Sequence, residues 1–258
     1  MNTRIISGNW KMNGSLKDIE TWFNDFFSGA IEFEKTNTKK IPDVLICLPS
    51  IYIPFAQKFL KKYDTEQFRL FIGAEDCHQE NKGAFTGNIS PLMLGEFGVK
   101  YVIVGHSERR QFEGETNSLV AKKAANAIGC GLTPLLCVGE SLDVRESKKH
   151  LDFIEKQLLE STENIDLSKV IVAYEPVWAI GTGKVPNLDE IEEINGHIKN
   201  VLAKKTGLKE DKIDVLYGGS VKSSNVRDIV NLKSVNGVLV GGASLKGEEY
   251  FNIVINSL

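Results

Sequence analysis

Eight short apolar runs, each followed by a longer amphipathic stretch, recur along the chain, and this alternation limits the possible folds more than any other feature. The runs are residues 4–7, 44–48, 69–72, 101–104, 134–138, 170–174, 214–217 and 237–240. Their near-continuous valine, isoleucine and leucine content is what parallel strands buried on both faces require. The intervening segments step at helical spacing. Leu16, Ile19, Phe23, Phe26 and Phe27 form one stripe, and Ile191, Ile194, Ile198, Val201 and Leu202 form another. Asn187 ahead of Asp189 and Glu190 reads as a capping box, and Ser90-Pro91 as an N-cap with a first-turn proline. Strict alternation implies parallel pairing with right-handed crossovers. Eight units in 258 residues suit a closed α/β architecture, a (β/α)8 barrel of eight parallel strands surrounded by helices, better than an open doubly wound sheet. No proline- or serine-rich linker interrupts the pattern, so residues 1–258 are expected to form one domain. The polar stretch at residues 35–40 reads as a solvated loop.

Composition removes several function classes. The net charge of −3 argues against a nucleic-acid binder, which needs a dominant cationic face. No apolar run approaches the roughly 18 residues of a membrane span. The opening residues Met1 to Gly8 lack the apolar stretch of a secretory leader. Cys47, Cys77, Cys130 and Cys137 show no CxxC spacing. A cytoplasmic protein with reduced thiols, without nucleic-acid or membrane partners, is the expectation.

In such a barrel the working residues sit at the C-terminal strand ends. Asn9 and Lys11 follow the first strand, His106 and Glu108 the fourth, and Glu175 the sixth. Gly218-Gly219-Ser220 and Gly241-Gly242 follow the last two. Each has an ordinary reading as a surface lysine, a core histidine, an ion-pair carboxylate or a tight-turn glycine. A metal role for His106 is disfavoured because no second histidine stands at ligand spacing. Ahead of a short helix, His106 feels positive helix-end potential, which disfavours imidazolium. Glu175 ends an apolar run, where poor solvation is expected to raise its basicity. Glu108 is expected to pair with a cation such as Lys11. The two glycine turns after strands seven and eight lie where barrels commonly hold phosphate through backbone N–H groups. Gly181-Thr182-Gly183-Lys184 lacks the four-residue spacer of a Walker loop. The long connection Pro176, Val177, Trp178, Ala179, Ile180, Gly181, Thr182 and Gly183 carries an apolar tip between glycines, suited to a lid that buries it on closing. A carboxylate base, an imidazole electrophile and a fixed cation beside a phosphate site fit proton abstraction next to a carbonyl.

Gly8-Asn9-Trp10-Lys11-Met12-Asn13-Gly14, Val104-Gly105-His106-Ser107-Glu108-Arg109-Arg110, Ala173 through Lys184 and Tyr217-Gly218-Gly219-Ser220-Val221 closely resemble triosephosphate isomerases. Gly83 through Pro91 and Leu136-Cys137-Val138-Gly139-Glu140 match as well, in order over essentially the whole chain. The resemblance implies the TIM barrel and the interconversion of dihydroxyacetone phosphate and D-glyceraldehyde 3-phosphate, without metal or organic cofactor. It implies that Glu175 moves a carbon-bound proton and that His106 polarises the carbonyl and shuttles protons between the enediolate oxygens. Lys11 and Asn9 would stabilise negative charge. Gly181, Ser220, Gly241 and Gly242 would hold the phosphate, and residues 176–183 would be the lid. It also implies a homodimer in which the loop from Glu75 to Phe85 inserts into the partner. That loop departs from the family pattern, with Glu75 where glutamine is usual and Asn81 where threonine is common near the tip. An unpaired carboxylate there would weaken an interface.

Two rival classes remain on the residues. A Schiff-base aldolase needs a lysine inside a late strand, and residues 170–174 offer none. A non-catalytic phosphosugar binder would have lost Lys11, His106 or Glu175, and all three are present.

Overall fold

A computed structural model describes residues 4–37, 41–63, 68–180 and 184–258. Eight strands close into an all-parallel barrel in sequence order. They are β1 (Ile5–Asn9), β2 (Asp43–Leu48), β3 (Leu70–Ala74), β4 (Tyr101–Val104), β5 (Thr133–Val138), β6 (Ile171–Tyr174), β7 (Val215–Tyr217) and β8 (Gly237–Val240). The ring is completed where β8 lies on β1, from Ile5 opposite Gly237 to Gly8 opposite Val240. The helices among the described residues are α1 (Leu16–Glu34), α2 (Ile53–Lys62), α3 (Pro91–Glu96), α4 (Ser107–Phe112), α5 (Asn117–Gly129), α6 (Leu142–Glu146), α7 (His150–Ser161), α8 (Leu188–Thr206), α9 (Val226–Val230) and α10 (Gly247–Asn256). None of the described helices is long and apolar enough to cross a membrane.

Strand alternation divides the core in two. Ile5, Leu45, Cys47, Ile103, Leu135, Cys137, Ile171, Ala173, Leu216 and Leu239 fill the barrel interior. Their neighbours, such as Ile6, Val44, Ile46, Val102, Leu136 and Val172, join the larger layer beneath the helices. The expected β-runs all appear, shifted by a residue or two at their ends. The two expected caps are also present: Ser90 accepts from Met93 N–H, and Asn187 with Glu190 forms a reciprocal capping box. The first helical stripe differs at one end. Leu16, the first residue of α1 after the Ser15 cap, is 55% exposed, while Trp22 joins the buried face.

α1 and α10 meet over the β1–β2 edge through an aromatic cluster. Trp22 stacks on Phe26 at 5.1 Å between ring centres, and Phe26 meets Phe251 edge-on at 6.0 Å. The Tyr250 hydroxyl lies 2.8 Å from Ile6 O and 2.6 Å from Leu45 O, joining the last helix to the first two strands. Phe26→Ala would empty the centre of this cluster. It should cost about 3–5 kcal/mol in urea unfolding monitored by circular dichroism.

Candidate active site

Asn9 is the last residue of β1, and its Oδ1 accepts the Lys11 backbone N–H at 3.0 Å. Lys11 holds φ at +55°, a strained conformation for a side-chain-bearing residue. The bend sends its ammonium across the barrel mouth to Glu108 Oε1, 2.5 Å away. Lys11 and Glu108 thus form the expected ion pair.

Gly105 turns the chain at the end of β4 with φ +67°, a conformation open to glycine at little cost. His106 then caps α4. Its Nδ1 accepts the Glu108 backbone N–H at 3.2 Å, and an acceptor nitrogen carries no proton, so the ring proton belongs on Nε2. Nε2 faces Glu175 Oε1 at 2.7 Å. The other carboxylate oxygen accepts the Ser107 backbone N–H at 2.9 Å. His106 and Glu175 are 5% and 2% exposed.

Burial raises the Glu175 carboxyl, but the His106 contact and the Ser107 N–H together hold it below the usual carboxylate range. This reverses the expectation of raised basicity from poor solvation alone. Sequence position does not show that α4 brings two donors to the carboxylate. Burial likewise lowers the proton affinity of His106, while Glu175 raises it above the ordinary imidazole value in this arrangement. The Nδ1 contact nonetheless keeps the second nitrogen bare.

These groups line one cavity of about 560 Å³ at the C-terminal strand ends, together with Gly218, Gly219, Ser220, Gly241 and Gly242. A short helical turn, Gly242–Leu245, begins there. Exposed backbone at such a turn is a ready anion-binding element. Val177 and Ile180 form the opposite wall. Gly181, Thr182 and Gly183 lie outside the described residues, and so does the expected phosphate contact of Gly181.

Residues without an assigned role in the sequence hold this site in place. Glu140 is fully buried and accepts from Tyr174 Oη at 3.1 Å and Trp178 Nε1 at 2.9 Å. Burial pushes its carboxyl above the usual range in spite of those donors. Arg145 stands 5.7 Å over the Trp178 ring and binds Glu190 at 2.9 Å. The turn Val177–Ala179, in the segment expected to serve as a lid, is therefore clasped through its indole. From behind the site, Arg110 donates to the Gly105 and Cys137 carbonyl oxygens at 2.7 and 3.1 Å. The quoted match Leu136 to Glu140 was the available signal for the clasp, but its partners come from β6 and the lid. No group of three or more candidate ligands for a metal occurs among the described residues.

A barrel whose rim sets a buried carboxylate against an imidazole, with an ammonium across the mouth, has the build of an acid–base enzyme for a small molecule. Comparison with known proteins narrows this class. The model of the family "Triosephosphate isomerase" matches residues 4–257. The triosephosphate isomerase of Amoebophilus asiaticus is 42% identical over 98% of this chain and 99% of its own. That of Albidiferax ferrireducens is 39% identical over the full length of both. The crystal structure of the Bartonella henselae triosephosphate isomerase superposes with a TM-score of 0.87, at 34% identity and 99% coverage of each chain. The chain belongs to the triosephosphate isomerase family and is an intramolecular aldose–ketose isomerase.

The clearest test of how the site is positioned lies at Gly139. A Cβ there would stand 1.8 Å from the Glu175 carbonyl oxygen, so the β5 and β6 ends approach only because this residue has no side chain. Gly139→Ala should cost about 2–3 kcal/mol in denaturant unfolding. By shifting the Glu175 backbone it should also lower kcat by roughly 10²-fold.

Proposed function

We propose that the chain interconverts dihydroxyacetone phosphate and D-glyceraldehyde 3-phosphate through an enediolate, with Glu175 as base and His106 as electrophile. The observation that carries this reading is the 2.7 Å contact between Glu175 Oε1 and His106 Nε2, with the Nδ1 side occupied by a backbone N–H. A substrate carbonyl or hydroxyl entering the cavity replaces the carboxylate as the acceptor of the His106 proton. Glu175 must then give up the Ser107 N–H and turn toward the substrate carbon. Freed of both donors and still buried, its carboxylate becomes more basic as it meets the proton it removes. Gly218 leaves room for that turn, since a Cβ there would lie 3.1 Å from Glu175 Cγ. Neutral His106 polarises the carbonyl and then moves protons between the two oxygens. Lys11, with Asn9 shaping its bend, stabilises the growing negative charge, and Glu108 fixes the ammonium.

In this reading the backbone around Ser220, Gly241, Gly242 and Gly181 holds the phosphate. Residues 176–183 close over the enediolate, where excluding water suppresses loss of phosphate. No metal or organic cofactor takes part, and a cytoplasmic location fits the reduced thiols. Glu175→Asp should bind substrate with a similar KM but turn over roughly 10²-fold or more slowly, because the shorter side chain misplaces the base. A coupled assay with glyceraldehyde 3-phosphate, run with and without a metal chelator, checks this. Unchanged kcat in that variant would remove Glu175 from the role.

We further propose a homodimer built around residues 75–85. Met12 and Phe112 beside the mouth are 97% and 72% exposed, and Phe85 on the loop is 41% exposed. A second cavity of about 540 Å³, lined by Lys11, Met12, Glu75 and His78, adjoins the catalytic one. The partner's loop would fill it and cover this apolar rim. Glu75 Oε1 is buried without a partner among the described residues, and burial pushes its carboxyl up to about 8. Folding therefore favours the protonated form. The penalty is absent below the unfolded glutamate value, near pH 4.5, and grows as pH rises toward 8. Glu75→Gln should raise Tm by several degrees at pH 8, about 1–2 kcal/mol, and change it little at pH 4. Sedimentation at both pH values would show the dimer affinity following the same trend.

A further inference from the structure

Resting on the isomerase reading, we propose that Lys222 is a phosphate-attracting cation of this site. The residues lining the cavity include two lysines, Lys11 and Lys222, and two glutamates, Glu108 and Glu175. With His106 neutral, the lining has no net charge. Lys11 is already matched by Glu108 at 2.5 Å. Without Lys222 the cavity would present a net negative charge to a substrate whose phosphate is largely dianionic at neutral pH. Lys222 follows Gly218-Gly219-Ser220 on the glycine-turn side of the cavity. Its ammonium has no hydrogen bond or ion pair among the described residues.

The backbone that carries Lys222 is firmly held. Asn225 accepts the Lys222 N–H at 2.8 Å and donates to Ser220 O at 3.1 Å, spanning the turn with one amide. Ser223 is fastened to Glu249 at 2.9 Å through its N–H and 3.1 Å through its hydroxyl, and Asn256 donates to its carbonyl at 2.9 Å. These bonds use main-chain atoms of Lys222 and its neighbours and the Ser223 hydroxyl, so the lysine side chain supports none of the local structure. A free cation on a held turn, offsetting the net negative charge of the rest of the lining, draws in an anion and sets its affinity. It leaves the proton transfers, at the other end of the cavity, untouched.

The test compares the wild-type enzyme with Lys222→Met and Lys222→Arg. Steady-state kinetics with glyceraldehyde 3-phosphate would be measured over a range of ionic strength, with inorganic phosphate as a competitive inhibitor. Lys222→Met should raise KM and the phosphate inhibition constant by a common factor of about five. Its kcat should stay within about two-fold, and its kcat/KM should depend less on salt. Lys222→Arg should stay near wild type. An unchanged KM and inhibition constant in Lys222→Met would overturn the proposal, as would a fall in kcat accompanied by a lower Tm. If the wild type itself fails to isomerise the substrate, the functional reading falls. Calorimetric titration of wild type and Lys222→Met with inorganic phosphate then decides the role of Lys222 separately.

Discussion

Closure of a parallel sheet on itself governs everything else in this molecule. When β8 pairs with β1 in the same direction as every other neighbour, no strand edge is left, and all eight C-terminal ends reach one rim. Residues as far apart in sequence as Asn9, His106, Glu175 and Gly241 are brought together by that geometry alone. The interior must also be filled by side chains from alternate positions, and the ten residues of the inner cluster do this with mostly medium-sized aliphatic groups. Above that plug the interior positions become polar, and the chemistry begins where the apolar filling stops.

The rim satisfies a second constraint, because charged groups with little access to water need partners. Lys11 has Glu108, Glu175 has His106 and the Ser107 N–H, and Glu140 has two hydroxyl or indole donors with Arg145 nearby. Each arrangement lowers the cost of burial, and each can change by exchanging one partner for another. Glu75, like Glu140, keeps one buried carboxylate oxygen unmatched among the described residues. It stands on the face proposed to receive a second subunit, beside the internally paired cluster of Lys11, Glu108, His106 and Glu175.

Much of this was legible in the chain. Eight apolar runs specified the barrel because a parallel strand buried on both faces has few other ways to read, and eight strand–helix units suit closure better than an open sheet. Lys11, His106, Glu108 and Glu175 could be picked out because strand ends of a barrel face one mouth. The pairing of Lys11 with Glu108 followed from charge and position. Contacts between elements far apart in sequence were not legible. The clasp from Glu140 to Trp178 depends on how β5 and the lid meet in space. The lowered proton affinity of Glu175 depends on where α4 begins. Leu16 carried the periodicity of a buried residue, yet as the first residue of α1 it is exposed.

The clasp has an optical consequence. Of the three tryptophans, Trp10, just after β1, and Trp22, on α1, are buried with ring centres 6.3 Å apart. Trp178 alone belongs to the lid turn, its indole N–H bound to a carboxylate and its ring beneath a guanidinium. Any displacement of that turn strips the indole of both charged neighbours, while the other two emitters keep their surroundings. The protein thus contains its own reporter: a change of emission from one aromatic ring would follow any movement of the Val177–Ala179 turn, without any added label.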